Sequence, residues 1–188
     1  MLNSIPNALT IFRGVATLLI VILFYSTFPE RYIIAYSLFV LAALSDYFDG
    51  YLARRWKVIS DFGVVCDPLF DKILVLTLII LLYASNIVAP FILLILFVRD
   101  ITTDALKNYL LAQGILTPAI YSAKIKTAAQ FLMLNFMLLA LAFPFIPYMN
   151  TAATVFGVIA VIFSLWSAVF YVKRFIALTK KKTASSTQ

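Results

Sequence analysis

The chain contains no histidine, and that absence removes every mechanism built on an imidazole: a Ser-His-Asp triad, an HExxH zinc site, and histidine-dependent phospholipase chemistry. Acid–base chemistry therefore falls to carboxylates. The single cysteine, Cys66, cannot form an internal disulfide, and there is no Cys/His set for zinc. Charge is also scarce: 12% of the 188 residues are Asp, Glu, Lys or Arg, against 64% hydrophobic, which is too apolar for a soluble domain of this length. The opening Met1-Leu2-Asn3-Ser4-Ile5-Pro6 lacks the basic region of a signal peptide, and no small-residue cleavage pattern follows, so the first apolar run is expected to be retained. No repeat of 20–50 residues is visible.

What remains is a succession of apolar runs. Bounded by polar or turn residues, they predict six helices at about 8–27, 32–56, 67–84, 88–112, 120–143 and 152–178. The expectation is an all-α integral membrane protein: one six-helix transmembrane bundle over 1–178 and a polar basic tail over 179–188, disordered, with its lysines touching anionic lipid. The excess of 15 basic over 8 acidic residues fits the cytoplasmic membrane face and needs no nucleic acid. Arg54, Arg55, Lys57, Lys124, Lys126 and the cluster from Lys173 to Lys182 lie on alternate connections, whereas the others carry only Arg31. By the positive-inside rule both termini and the 54–66 segment face the cytoplasm.

The acids are not scattered. Asp46, Asp49, Asp61, Asp67 and Asp71 are five of eight acidic residues and fall within 26 positions. Carboxylates in apolar segments are costly and mark function by default. Spacings of three (Asp46, Asp49) and four (Asp67, Asp71) put each pair on one helical face, so two helices can present four carboxylates to one another. Such a group repels itself unless cations neutralise it. Hard divalent ions such as Mg²⁺ or Mn²⁺ suit all-oxygen ligands and commonly bind substrate phosphates as well. Gly50 permits close approach, Arg54 forks onto phosphate oxygens, and Gly63 relieves crowding. Two alternatives stand beside this reading: helix packing by ion pairs with Arg54, Arg55 and Lys72, and an ion pathway. Packing alone is a poor reason to bury several carboxylates, and the aspartates gather at one leaflet rather than the midplane.

The stretch Asp46-x2-Asp49-Gly50-x2-Ala53-Arg54-x8-Gly63-x3-Asp67-x3-Asp71 resembles the complete signature of the CDP-alcohol phosphatidyltransferases. The resemblance implies a six-helix membrane fold, a homodimer, and transfer of a phosphatidyl group from CDP-diacylglycerol to an alcohol with release of CMP. It implies that Asp46, Asp49, Asp67 and Asp71 ligate metal, two ions of Mg²⁺ or Mn²⁺, and that Asp71 also takes the proton of the acceptor hydroxyl. Gly50, Arg54, Ser60 and Gly63 would border the CDP moiety, as would Asn7 and Thr10 of the segment Pro6-Asn7-x2-Thr10-x2-Arg13, which is similar to the family's amino-terminal pattern. Cys66 and the aromatic residues Tyr47, Phe48, Tyr51 and Trp56 read as packing and interface residues.

The acceptor alcohol is read elsewhere. Arg99 and Lys107 are eight apart, about two turns, and Lys124 and Lys126 open the fifth run, a concentration of cations suited to an anionic second substrate. Arg99-Asp100-x6-Lys107 and Ala123-Lys124-Ile125-Lys126-Thr127-x2-Gln130 resemble phosphatidylglycerophosphate synthases, which use sn-glycerol 3-phosphate. They depart from that group at Asp100, Lys107 and Ala123, where Glu, Arg and Gly are more usual. The plainer alternatives are that Lys124 and Lys126 anchor a helix start and that Arg99 pairs with Asp100 or Asp104. Cardiolipin synthase of the same fold, phosphatidylinositol phosphate synthase and, outside the class, a divalent-cation or small-ion transporter remain open.

Overall fold

The computed structural model of the chain describes the backbone of residues 4–56, 61–115 and 121–186 and the side chains of 7–46, 66–115 and 121–179. Six helices are present among the described residues: α1 (Ser4–Tyr25), α2 (Arg31–Trp56), α3 (Asp61–Ala84), α4 (Pro90–Ala112), α5 (Tyr121–Ala142) and α6 (Met149–Ser186). Three of them are long and apolar enough to cross a membrane: Asn7–Tyr25, Tyr121–Ala142 and Met149–Thr179. Helices α2, α3 and α4 carry the acids of interest within their length.

Two ends differ from the sequence expectation. Helix α3 starts at Asp61 rather than 67, with Pro68 inside it. A proline there removes one backbone hydrogen bond, the one from position 68 to the Val64 carbonyl, without ending the helix. Helix α6 continues to Ser186, through the stretch expected as a disordered tail. No proline or glycine follows Gly157, and lysine and alanine are good helix formers, so nothing local stops the helix.

The chain divides into two compact units, Met1–Ile87 with Leu134–Ala153, and Val88–Met133 with Thr154–Gln188. In the first unit α1 packs on both α2 and α3. Its inward stripe is Thr10, Arg13, Ala16, Thr17 and Ile20, spaced for one helical face. Facing it are Ala35, Phe39, Ala42 and Ser45 of α2 and Leu74, Leu78 and Leu82 of α3, all buried. Small residues matter because lipid is as apolar as leucine, and close backbone approach supplies the attraction between helices. Tyr36 Oη donates to Asn135 Oδ1 at 3.1 Å, tying α2 to the end of α5.

In the second unit α4 buries Ile92, Leu96, Arg99, Thr103 and Leu110. Both neighbouring turns close on a residue with positive φ: Asn86 at 59° after α3 and Gly114 at 74° after α4. Each lets the following amide reach back five residues, Ile87 N–H to the Leu82 carbonyl and Ile115 N–H to the Leu110 carbonyl, both at 2.9 Å. Large apolar side chains such as Leu18, Ile22, Leu94 and Ile162 are exposed, as expected of surfaces facing lipid.

Gly14 of α1 lies close against Phe70 of α3. A Cβ at this position would stand 2.6 Å from Phe70 Cε1. Gly14→Ala should therefore destabilise the protein by about 1–3 kcal/mol through overpacking. The check is thermal unfolding in detergent, with Phe70→Leu expected to restore most of the loss.

Candidate active site

The inward stripe of α1 turns polar at its amino-terminal end, and there it meets the aspartates. Arg13 is fully buried. One of its nitrogens, Nη2, pairs with Asp46 Oδ1 of α2 at 2.9 Å, and Nη1 pairs with Asp71 Oδ1 of α3. One turn earlier Thr10 Oγ1 donates to Asp67 Oδ1. The Thr17 hydroxyl donates to the Arg13 carbonyl at 2.8 Å, occupying that face of the helix. The carboxylates stay accessible: the side chains of Asp46 and Asp71 are 41% and 35% exposed against 0% for Arg13. A shielded cation thus draws two accessible carboxylates together from different helices.

The sequence expectation is that divalent metal neutralises these acids; Arg13, a side chain of the protein itself, pairs with two of them. It stands in the segment Pro6-Asn7-x2-Thr10-x2-Arg13 but was not among the candidate site residues. The signal that could have found it is an arginine within an otherwise apolar run. Asn7, one turn before Thr10, is half-buried in α1. Asp49, Gly50 and Arg54 lie in α2 and Gly63 in α3, with side chains outside the described set, and Ser60 lies outside the described residues altogether.

Among the described residues no three acidic side chains form a metal cluster. The donor set nevertheless fits a hard divalent cation. Asp46, Asp67 and Asp71 offer only oxygen, the donor type such an ion takes.

The second unit holds its own polar cluster. Asp100 accepts from Arg99 Nη1 at 2.8 Å and from Lys126 Nζ at 2.8 Å, with side chains 13%, 8% and 10% exposed. Arg99 also donates from Nε to the Ser164 carbonyl at 3.2 Å and from Nη2 to Ser167 Oγ at 2.8 Å. The Ser167 hydroxyl continues to Ser122 Oγ at 3.4 Å. Lys107 lies over the Tyr171 ring at 4.8 Å, and Arg99 approaches the same ring at 5.9 Å. Four sequence-predicted cations therefore divide: Arg99 and Lys126 share a carboxylate, Lys107 joins through an aromatic ring, and Lys124 is exposed on another face of α5. An apolar groove of about 390 Å³ runs between α4 and α6, with Leu94, Val98, Leu165 and Val172 among its walls and Arg99 at its edge.

The CDP-alcohol phosphatidyltransferase profile matches residues 3–171, which include both clusters. The chain belongs to that family. It is a transferase and a multi-pass membrane protein. Among curated relatives, the CDP-diacylglycerol–glycerol-3-phosphate 3-phosphatidyltransferase of Haemophilus influenzae is 34% identical over 90% of this chain and 92% of its own length. The proteins of the same name from Rickettsia bellii and Salmonella choleraesuis are 34% and 31% identical, covering 73% and 89% of this chain and 76% and 92% of theirs.

Two substitutions separate the clusters' energetics. Arg13→Met leaves Asp46 and Asp71 opposed; because both are partly hydrated, the expected loss is about 1–3 kcal/mol in chelator. Part of it should return with Mg²⁺, read as a shift in thermal unfolding. Asp100→Asn strands two buried cations and should cost about 3–5 kcal/mol, whereas Lys124→Gln should stay within about 0.5 kcal/mol.

Proposed function

We propose that the protein transfers the phosphatidyl group of CDP-diacylglycerol to sn-glycerol 3-phosphate, giving phosphatidylglycerol phosphate and CMP. The observation that carries this reading is the relative of that name aligned over nine tenths of both chains, in a chain whose α1, α2 and α3 bring Asp46, Asp67 and Asp71 to one end of the bundle. Asp46, Asp49, Asp67 and Asp71 hold divalent metal, two ions of Mg²⁺ or Mn²⁺. Bound there, the metal spreads the charge of the pyrophosphate and of departing CMP. Asn7, Thr10, Gly50, Arg54, Ser60 and Gly63 border the CDP moiety, and Arg99, Lys107, Lys124 and Lys126 receive the acceptor phosphate.

The reaction needs one proton moved and one phosphoanhydride broken. Asp71 accepts the proton of the acceptor hydroxyl, whose oxygen bonds to the phosphorus bearing diacylglycerol. The bond from that phosphorus to the bridging oxygen breaks, and the oxygen leaves with CMP. Arg13 has a positioning role: it holds Asp71 against α1, so the base keeps its orientation while its side chain stays 35% exposed. The Asp100 carboxylate lets two cations share the interior of the second unit, and both are donors suited to a phosphate.

The protein works as a homodimer in the bacterial inner membrane, with six spans and with both termini and the active site on the cytoplasmic side. Residues 1–178 are the catalytic domain. The excess of basic residues on alternate connections supports this orientation.

Purified protein given CDP-diacylglycerol, Mg²⁺ or Mn²⁺ and glycerol 3-phosphate should release CMP and phosphatidylglycerol phosphate in equal amounts, and chelator should stop both. Asp71→Asn should lower kcat about 10²–10⁴-fold. Turnover without metal, or full activity of Asp71→Asn, would sink the mechanism. Preferential use of phosphatidylglycerol or inositol phosphate would reassign the acceptor, and ion flux without CMP would reassign the class.

A further inference from the structure

Three buried polar stripes meet in the second unit. Helix α4 brings Arg99 and Thr103, α5 brings Ser122, Lys126 and Gln130, and α6 brings Ser164 and Ser167, none more than 9% exposed. Nearly all their polar atoms have partners within the cluster, as described above. Two do not: Gln130 Nε2 and Ser164 Oγ are enclosed, in residues 2% and 0% exposed, with no hydrogen-bond partner. A buried donor left unmade carries its full desolvation cost, and inside a membrane protein there is no bulk water to relieve it. Such atoms ask for an occupant.

Their positions say where it sits. Ser122, Lys126 and Gln130 are spaced four apart, and the first two already reach α6 and α4. Gln130 is one turn beyond Lys126, about 6 Å along the axis. Helical side chains lean toward the helix amino terminus, so the Gln130 amide extends back over the Lys126 turn. Ser164 stands at the level of Arg99, whose Nε its carbonyl already receives. One unmade group is thus a turn from Lys126, and the other belongs to the residue whose carbonyl accepts from Arg99. A small anion alone would engage the cations and leave the amide and hydroxyl, neutral groups suited to an alcohol, unsatisfied. A phosphate carrying a hydroxylated chain engages both.

We infer that Gln130 and Ser164 bind the non-reacting hydroxyl of a polyol phosphate whose phosphate rests on Arg99 and Lys126, and so select acceptors with a second hydroxyl group. This rests on the acceptor reading above. For glycerol 3-phosphate the group in question is the hydroxyl on carbon 2, since the terminal hydroxyl is consumed in the transfer. A site built to hydrogen-bond a hydroxyl discriminates strongly against an analogue lacking it, because its own buried groups then go unpaired.

The test compares glycerol 3-phosphate with 3-hydroxypropyl phosphate, which lacks only the hydroxyl on carbon 2. The full-length protein should favour glycerol 3-phosphate in kcat/KM by at least about tenfold. In Gln130→Met and in Ser164→Ala that ratio should collapse to within about threefold, with the loss falling on glycerol 3-phosphate and read mainly in KM. Neither variant should unfold earlier than the parent, because each removes a polar atom that has no partner. Ser164→Ala deletes a single oxygen, so the ratio is measurable even where Gln130→Met does not fold. An unchanged ratio in both variants, or a parent protein that does not distinguish the two phosphates, overturns the inference while leaving glycerol 3-phosphate as acceptor. Turnover with neither phosphate but with another alcohol overturns the acceptor reading and this inference together.

Discussion

A guanidinium enclosed among apolar helices has no water to solvate it, and Arg13 is held there because α2 and α3 each bring a carboxylate to it. The constraint acts in both directions. Arg13 requires two acids, and the acids, left to themselves, would separate. Because Arg13 sits on the stripe that continues through Ala16, Thr17 and Ile20, its pairing and the packing of α1 on α2 and α3 are one arrangement. The close approach at Gly14 is part of it, since a wider spacing between α1 and α3 would carry Arg13 away from Asp71.

The second unit meets the same constraint in the opposite proportion, with two cations and one carboxylate rather than one cation and two carboxylates. Asp100 takes both Arg99 and Lys126, and the serines of α5 and α6 take what remains of the guanidinium. In the pairs described, acids outnumber the cation around Arg13 and cations outnumber the acid around Asp100.

Much of this was legible in the chain. Helix existence followed from apolar runs and their length, and all six were expected where they occur. Their ends were less legible. The third run is expected from about 67, yet α3 begins at Asp61 and passes through Pro68, because a single lost rung is tolerated inside a longer helix. The aspartates announced themselves by cost and spacing. Arg13 shows only as one arginine in an apolar run, which marks the position without telling which acids it will meet. Nor could spacing separate Lys126 from Lys124: the two lie two residues apart, and only the packing of α5 buries one and exposes the other.

The sequence by itself determined composition-level facts: an apolar helical chain, carboxylates as its only acid–base groups of choice, and a signature at fixed spacing, all of which depend on local periodicity and on residue identity. The tertiary structure decided which charges neutralise which. It made Arg13 the partner of Asp46 and Asp71, made Asp100 the link between Arg99 and Lys126, and left Gln130 and Ser164 with unmade hydrogen bonds. Those outcomes depend on helices distant in sequence meeting at a few ångströms, and in a medium with little water the identity of the neighbour sets the energy of every charge.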